Sequence, residues 1–287
     1  MAFRRIRILI LLGMLLGAVS LTWLEQWMVR SWAAPLAVEL TPINGDGSAA
    51  AAATLARLRG EDFADIEHFL RRETARYGVP VAPAMRLTLT PPLSQAPPAP
   101  PASGNVLAAM AWSLRLRLWV YRQSGQWLPQ IGTIKLFVLY HAPHEGQPLQ
   151  HSLGLQKGLI GVVHAFADSR QRAQNNIVIA HELLHTLGAT DKYGAGGMPV
   201  FPDGVADPSR GPGAPQSMAE IMAGRFVTAS GVLVMPDSLE QCVIGAKTAH
   251  EINLDAAFRR RYASWAPAGR VADWGRNIAT DPGRASR

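Results

Sequence analysis

Four stretches of the chain show the apolar patterns of β-strands. Residues 36–43 (LAVELTPI) and 85–90 (MRLTLT) alternate apolar and polar positions, as a strand with one buried face does. Residues 133–140 (TIKLFVLY) and 159–167 (LIGVVHAFA) are apolar almost throughout, which is typical of strands buried on both faces. The pattern therefore predicts four strands, separated by stretches with a different period.

Three stretches carry apolar residues at the spacing of a helix. Residues 61–77 have an apolar stripe, and Gly78 follows where a helix can stop. Residues 105–123 have such a stripe too; positions 114–118 also alternate, but the length and the alanines favour a helix. The third helical stretch lies within residues 176–193, after the last predicted strand, and ends at Gly188.

The predicted elements follow the order strand, helix, strand, helix, strand, strand and helix. That order predicts the α/β class, with a mixed sheet and the last helix packed behind it. Residues 91–101 are rich in proline and residues 194–217 in glycine and proline, so both are predicted to be loops. Residues 233–242 and 248–265 are expected to form a last helical section.

The amino-terminal end has the pattern of a membrane anchor. Residues 8–24 carry no charge over about seventeen positions, close to the lower limit for a transmembrane helix, and they follow the cationic residues 3–7 (FRRIR). A cleaved signal would have a shorter apolar core, and Pro35 after Ala34 discourages cleavage there. The sequence therefore favours an uncleaved signal anchor. The positive-inside rule then predicts a cytoplasmic N-terminus and an extracytoplasmic (periplasmic or extracellular) domain.

Composition and charge narrow the class of protein. The chain has 287 residues, of which 48% are hydrophobic and 17% charged, so it can form one sizeable domain. Its net charge is +7, but it lacks the basic stripe with interleaved aromatics that a nucleic-acid partner would require. The single Cys242 excludes an internal disulfide and a cysteine-based zinc site. We expect an anchor over residues 1–34, a domain over residues 35–265 and a flexible tail over residues 266–287.

The chemistry of the chain is concentrated in residues 176–193, which read NIVIAHELLHTLGATDKY. His181 and His185 are four residues apart, so on a helix both imidazoles lie on one face and can bind one zinc ion at about 2.0–2.1 Å. Glu182 follows the first of them and would stand beside the metal as a general base for water. Gly188 permits the left-handed turn at which the helix can end and the chain double back.

This stretch resembles the snapalysin branch of the metzincin-like zinc endopeptidases, whose motif is HExxHxxGxxD. The resemblance implies that Asp191 is the third zinc ligand, where most metzincins have a histidine. Tyr193 matches the D-x-Y ending of the motif. Residues 219–224 (AEIMAG) resemble the segment that carries the metzincin Met-turn, which implies that Met222 packs beneath the zinc ligands.

The resemblance also implies a fold and a substrate cleft. The expected fold is a metzincin-like mixed sheet with an active-site helix, joined to the N-terminal transmembrane helix. An antiparallel edge strand would line the cleft and pair with an extended peptide, and residues 159–167 are the candidate. Tyr193 would either stabilise an oxyanion, complete a fifth metal position, or pack on the loop.

Other residues offer alternative roles. Glu220 could replace Asp191 as the third ligand, as a glutamate does in gluzincins, and His250 is a further candidate. Asp203 and Asp207 could bind calcium, although such residues more often cap turns. Four further histidines lack ligand spacing and are expected in loops, at the surface or, in a strand, buried and hydrogen-bonded: His141, His144, His151 and His164.

These features predict a zinc metalloendopeptidase that takes a peptide or protein substrate. Glu182 would accept a proton from water at the zinc and pass it to the leaving amine. The alternative is a membrane-anchored zinc-binding scaffold or assembly protein without turnover. An intact Glu182 favours the enzyme, because a scaffold has no need of a general base.

Overall fold

A computed structural model of the chain describes residues 2–79, 81–101, 105–124, 131–143, 153–155 and 159–255. Within them the α-helices are α1 (Ala2–Arg30), α2 (Ala49–Arg57), α3 (Ala64–Arg76), α4 (Val106–Ser124), α5 (Arg172–Leu187) and α6 (Ala246–Glu251). The strands of the main sheet are β1 (Leu36–Asn44), β2 (Met85–Leu89), β3 (Thr133–His141), β4 (Leu153–Leu155) and β5 (Ile160–Phe166). Four shorter strands are β6 (Ala219–Glu220), β7 (Phe226–Val227), β8 (Leu233–Val234) and β9 (Cys242–Val243).

The main sheet is mixed, as the sequence predicted. Its strand order is β2-β1-β3-β5-β4, in which the first four strands are parallel and β4 runs antiparallel to β5. All four predicted strands are present at nearly their predicted bounds. The pattern was sufficient because each of these strands is long enough to show its period.

The expectation that residues 159–167 form the edge of the sheet is wrong. β5 occupies this stretch and lies inside the sheet, with β3 on one side and β4 on the other. The antiparallel edge is β4, a three-residue strand that pairs with Ile160 to Val162. The apolar run of β5 reflects the burial of its two faces, which does not decide whether a strand lies at the edge or inside the sheet.

The two faces of the sheet carry different helices. Ala51 of α2, Ile66 of α3 and Ile177 of α5 belong to one buried cluster with the residues of β1 and β3 that face them. Leu116 and Val120 of α4 form a second cluster with Phe137 and other residues on the opposite face. The sheet is thus the middle layer, with α5 and α4 on opposite sides.

The predicted helices over residues 61–77 and 105–123 correspond to α3, preceded by a 3-10 turn, and to α4. α2 was missed, although its five consecutive alanines are strong helix formers. Ser48 caps α2 by accepting a hydrogen bond from the backbone N–H of Ala51. The sequence signal was therefore present, but no helix was predicted from it.

The carboxy-terminal part differs from the prediction. Residues 233–242 are not helical; they contain β8, the 3-10 turn Leu239–Gln241 and the start of β9. α6 covers the first part of the predicted helix at residues 248–265. The remainder of that stretch and the predicted tail over residues 266–287 lie outside the described residues.

The helix α1 is long and apolar enough to cross a membrane over residues 5–30, and an 18-residue window within it has a mean hydropathy of 2.0. Its side chains are mostly exposed, but the chain directly after it enters the core. The indole N–H of Trp32 donates to the carbonyl of Ile252 at 2.7 Å, and Arg30 donates to the carbonyl of Glu251 at 2.5 Å. The end of the apolar helix is therefore bound directly to the folded domain.

Candidate metal centre

α5 buries one side and presents two histidines on the other. Ile177, Leu183 and Leu184 are buried, whereas the side chains of His181 and His185 are 14% and 17% exposed. The two imidazole rings lie one helical turn apart, with centroids separated by 4.7 Å. The predicted placement of both histidines on one face of a helix is confirmed.

Gly188 ends α5, as predicted. Its φ of 107° lies in the left-handed region that favours glycine. The N–H of Gly188 donates to the carbonyl of His185, and the N–H of Ala189 donates to that of Leu184, each at 3.0 Å. This turn reverses the chain, and Asp191 comes back over the two histidines.

Three side-chain atoms converge at this point. The Nε2 atoms of His181 and His185 lie 3.0 Å apart, and Oδ1 of Asp191 lies 3.1 and 3.2 Å from them. Ligand atoms about 2.0–2.1 Å from one tetrahedral zinc ion would lie roughly 3.3 Å from each other. The observed triangle is close to that size, so the three side chains fit a zinc ion.

The other ring nitrogen of each histidine is held by a backbone carbonyl. Nδ1 of His181 donates to the carbonyl of Ile221 at 3.0 Å, and Nδ1 of His185 donates to that of Ala189 at 2.8 Å. A carbonyl can only accept, so Nδ1 carries the hydrogen and Nε2 of the neutral ring carries the lone pair. Both Nε2 atoms and Oδ1 of Asp191 are then acceptors that face one point.

The pKa shifts of these three side chains indicate that their common position favours positive charge. Hydrogen bonding to His181 lowers the pKa of Asp191 below its usual value. Burial alone would lower the pKa of His181, but Asp191 and Glu182 outweigh it and raise that pKa. Burial and the neighbouring His181 lower the pKa of His185. Only one of the two rings therefore holds an extra proton readily, and a metal ion would satisfy all three acceptors together.

Glu182 lies beside this triangle. Its side chain is buried, and one of its carboxylate oxygens lies within 4.8 Å of ligand atoms of both His181 and His185. A carboxylate at that distance is close enough to exchange a proton with a molecule held between the histidines. The His-Glu-His cluster in α5 is an arrangement that can bind a metal ion.

The loop that carries Asp191 is fixed by residues that the sequence analysis missed. Oε2 and Oε1 of Glu251 in α6 accept hydrogen bonds from the N–H and the hydroxyl of Thr190, both at 2.9 Å. The ammonium group of Lys192, itself buried, donates to Oε2 of Glu251 at 2.7 Å. Burial would raise the pKa of Glu251, but these donors outweigh it and lower that pKa. No local signal identifies this contact, because 59 residues separate Lys192 from Glu251.

The segment with Met222 lies beside the site and contacts it through main-chain carbonyl groups. Ile221 holds His181 through its carbonyl, and the carbonyl of Met222 accepts from the N–H of Lys192 at 3.0 Å. The side chain of Met222 is fully buried in the same cluster as the apolar side of α5. The segment therefore supports both the first histidine and the loop of Asp191.

The two rivals of Asp191 are engaged elsewhere. Glu220 is fully buried, and its carboxylate accepts from the hydroxyl of Thr248 at 2.7 Å and from the N–H groups of Ala223 and Gly245. Burial is the main cause that raises the pKa of Glu220. His250 is mostly exposed and pairs with Asp255 at 2.7 Å. Neither side chain is part of the triangle.

Tyr193 stands at the rim of the site. Its side chain is exposed, and its phenol interacts with the carboxylates of Asp191 and Glu182. Burial of the hydroxyl and these two negative charges raise the pKa of Tyr193, so the hydroxyl keeps its proton at neutral pH. The phenol is thus a neutral hydrogen-bond donor beside the three acceptors.

The Gly/Pro-rich stretch at residues 194–217 is a loop that follows the site, as predicted. It contains two short 3-10 turns. Asp207 caps the second turn, because its Oδ1 accepts from the N–H of Ser209 at 3.1 Å and its Oδ2 pairs with Arg210 at 3.3 Å. This is the capping role that the sequence analysis named as the alternative to calcium binding.

No protein-family model and no curated protein matches the chain. The resemblance to metzincins therefore rests on the motif residues alone. The arrangement seen is a helix-borne His181–Glu182–His185 cluster that can hold a metal ion.

Proposed function

We propose that this protein is a membrane-anchored zinc-dependent peptidase whose metal ligands are His181, His185 and Asp191. The observation that carries the proposal is the meeting of three acceptor atoms within 3.2 Å of each other. Three acceptors this close repel each other unless His181 takes up a proton or a cation lies between them, and a metal ion can interact with all three at once. A ligand set of two imidazoles and one carboxylate is ordinary for zinc.

The proposed reaction is the hydrolysis of a peptide bond. Zinc bound at the site supplies the Lewis acidity that polarises a carbonyl and makes water easier to deprotonate. Glu182 takes one proton from the attacking water and delivers it to the nitrogen of the leaving amine. Water is thereby divided between the new carboxylate and the new amine, and Glu182 ends unchanged. In this proposal the neutral phenol of Tyr193 donates a hydrogen bond to the developing oxyanion.

The exposure of the site favours catalysis over a purely structural metal. A structural zinc site is closed by four protein ligands, whereas a catalytic one keeps a position open. Here three side chains meet, and that of Asp191 is 43% exposed. A substrate can therefore approach from the Asp191 side. The antiparallel strand β4 ends the sheet on the side of α5 and offers an edge to which an extended peptide can add.

The proposed location is the outer side of a membrane, with α1 as the anchor. The arginines at positions 4, 5 and 7 precede the apolar stretch, and basic residues favour the cytoplasmic side. A reporter fused after Arg287 should be active only on the extracytoplasmic side. Activity of the reporter in the cytoplasm would reverse this orientation.

The experiment that tests the reaction compares wild-type protein with the Glu182→Gln variant on a library of peptides. Both should contain zinc, but the variant should lose about 10²–10⁴-fold in hydrolysis, because an amide cannot accept the proton. The matched control is Glu61→Gln, which changes an exposed glutamate in the turn before α3 and should keep full activity. If wild type and Glu182→Gln released the same products at the same rate, the peptidase proposal would fail. If both were inactive yet equally functional in cells, the zinc-binding scaffold would replace it.

A further inference from the structure

α4 carries an apolar stripe that faces outward. One face of α4 packs on the sheet through Leu116 and Val120. The opposite face is exposed in the described part of the chain, with Leu107 at 74% and Leu114 at 68%. The full stripe follows the helical period and consists of Leu107, Met110, Leu114, Leu118 and Tyr121. A water-facing helix would carry polar residues at these positions.

The stripe lies beside the end of the candidate membrane helix. Glu25 of α1 and Arg117 of α4 are close enough for their charges to interact. Trp23 and Trp27 are exposed on the same part of α1. Tryptophans of a membrane helix concentrate at the level of the lipid headgroups. This part of α4 therefore lies near the turn of α1 at which the lipid surface is expected.

A basic recess adjoins the stripe. A cavity of about 540 Å³ is lined by Arg115 and Arg122, by Leu118 and Trp119, and by the loop at residues 95–98. Two guanidinium groups beside apolar walls match a lipid with an anionic phosphate headgroup. The same combination is less suited to another copy of this chain, which carries a net charge of +7.

We propose that α4 is a second membrane contact, whose apolar stripe lies in the lipid interface while Arg115 and Arg122 bind anionic phosphate headgroups. This inference rests on the membrane insertion of α1 in the proposed function and is independent of the metal site. An interfacial helix buries its apolar face about 5–10 Å into the headgroup boundary. A contact through both α1 and α4 would restrain rotation of the domain about the anchor and hold it against the bilayer.

Spin labels on the full chain in phospholipid vesicles test this contact. Single cysteines are placed at Leu12 in α1, Leu114 in α4 and Ala75, an exposed position of α3 on the other face of the sheet, each in a Cys242→Ala background. Collision rates are measured with oxygen, which concentrates in lipid, and with a chromium oxalate complex, which stays in water. The ratio of the two rates should be several-fold higher at Leu114 than at Ala75 and should approach that at Leu12.

Each other result overturns the inference in a distinct way. If Leu12 reports lipid but Leu114 reports water, α1 is an anchor and α4 makes no membrane contact. If Leu114 is shielded from both reagents, protein covers the stripe, either a second copy or residues 256–287 of the same chain. If Leu12 also reports water, the anchor and the α4 contact fail together, while the metal-centre experiments are unaffected.

The arginines provide a second readout. In vesicles with anionic phosphatidylglycerol, the Arg115→Gln and Arg122→Gln changes should shift the ratio at Leu114 toward its value at Ala75, because each charge removed weakens the attraction to the anionic surface by about fivefold. In vesicles of phosphatidylcholine alone they should have little effect. An equal effect in both kinds of vesicle would exclude headgroup binding by these arginines.

Discussion

The His181–His185 pair and the His141–His164 pair have nearly equal separations between ring nitrogens, 3.0 and 2.8 Å. Their partners differ. In the first pair both Nδ1 atoms donate to carbonyls, so both Nε2 atoms are left as acceptors, and Oδ1 of Asp191 adds a third acceptor. The first pair therefore needs either a proton on His181 or a cation between its acceptors, and a metal ion can supply that charge.

In the second pair, His141 and His164, the two rings form a hydrogen bond with each other. Nε2 of His141 in β3 meets Nδ1 of His164 in β5, so one ring donates and the other accepts. The charge of Asp46 acts on His141, but the two oxygens of Asp46 accept from the N–H groups of Ser48 and Ala142. A Cβ atom at Gly45 would come within 2.6 Å of the His141 ring, so glycine leaves the space that this ring occupies. This pair forms a cross-strand hydrogen bond, and within the described residues no third ligand joins it.

The comparison shows that the distance between two imidazoles does not identify a metal site. The deciding feature is the group that each remaining ring nitrogen contacts, because it sets which nitrogen holds the hydrogen. A second feature is whether the oxygens of a neighbouring carboxylate are free to face the imidazoles or already accept hydrogen bonds from the backbone. Both features are properties of the folded chain, and substitutions at the two pairs should separate them.

The largest expected difference is in zinc content after loss of one histidine from each pair. Purified wild-type protein should contain about one zinc ion per chain, as an open three-ligand site implies. His185→Ala should lose it, because two ligands remain, whereas His164→Gln should keep it. Metal analysis after dialysis measures both. Full zinc retention in His185→Ala would refute the assignment of the centre.

The next largest effect is expected at the third ligand. Asp191→Ala should weaken zinc binding and abolish hydrolysis, because its Oδ1 completes the triangle. Asp191→His should restore zinc, since imidazole is an equally ordinary ligand. Competition with a chromophoric chelator gives the affinities.

Two controls test the rivals of Asp191 in the same measurement. Glu220→Gln and His250→Ala should both keep the metal, because their side chains are bonded to Thr248 and Asp255. Loss of zinc from either folded variant, with retention in Asp191→Ala, would move the third ligand and favour a gluzincin-type site.

A smaller effect is expected at Glu251, which positions the ligand loop without touching the triangle. Glu251→Gln keeps the shape of the side chain but weakens its hold on Thr190 and Lys192. Zinc affinity should fall by about 10–100-fold, the usual effect of losing a group that supports metal ligands. Glu240→Gln, an exposed glutamate in a 3-10 turn, is the matched control. Equal zinc affinities in the two variants would show that the contacts of Glu251 with Thr190 and Lys192 do not position Asp191.

The smallest effect is expected in the second pair and depends on pH. Burial and the neighbouring His141 lower the pKa of His164 from 6.5 to about 4. Between these two values the unfolded chain binds the proton more readily than the folded chain, so stability falls as the pH falls from about 6.5 to about 4. Because His164 is only partly buried, solvent screening limits the loss to on the order of 1 kcal/mol.

The measurement for this prediction is the free energy of unfolding in urea at pH 7 and at pH 5. The loss between the two pH values should be smaller in His164→Gln than in wild type, because the variant has no proton to gain at this position. An identical loss in the two proteins would show that the pair does not contribute to acid sensitivity.

The parts of the fold that the sequence predicted are those with a local period. β1, β2, β3 and β5 appeared as apolar patterns, and α5 appeared through its apolar side and Gly188. The sequence also placed His181, Glu182 and His185 on one helix, because four residues make about one turn. The errors fall where local pattern is weak, as in residues 233–242, or where a short run of alanines followed a turn, as in α2.

The sequence by itself determined which side chains stand one turn apart on α5 and where that helix ends, because these relations depend only on helix geometry. The tertiary structure alone decided that β5 is an interior strand and that β4 is the edge. It alone placed the carbonyl of Ile221 behind His181 and the carboxylate of Glu251 behind the loop of Asp191. Those contacts join residues 40 to 61 positions apart, and only packing of the whole chain brings such residues together. That packing fixes which nitrogen of each histidine faces inward, and so it decides which histidine pair can hold a metal ion.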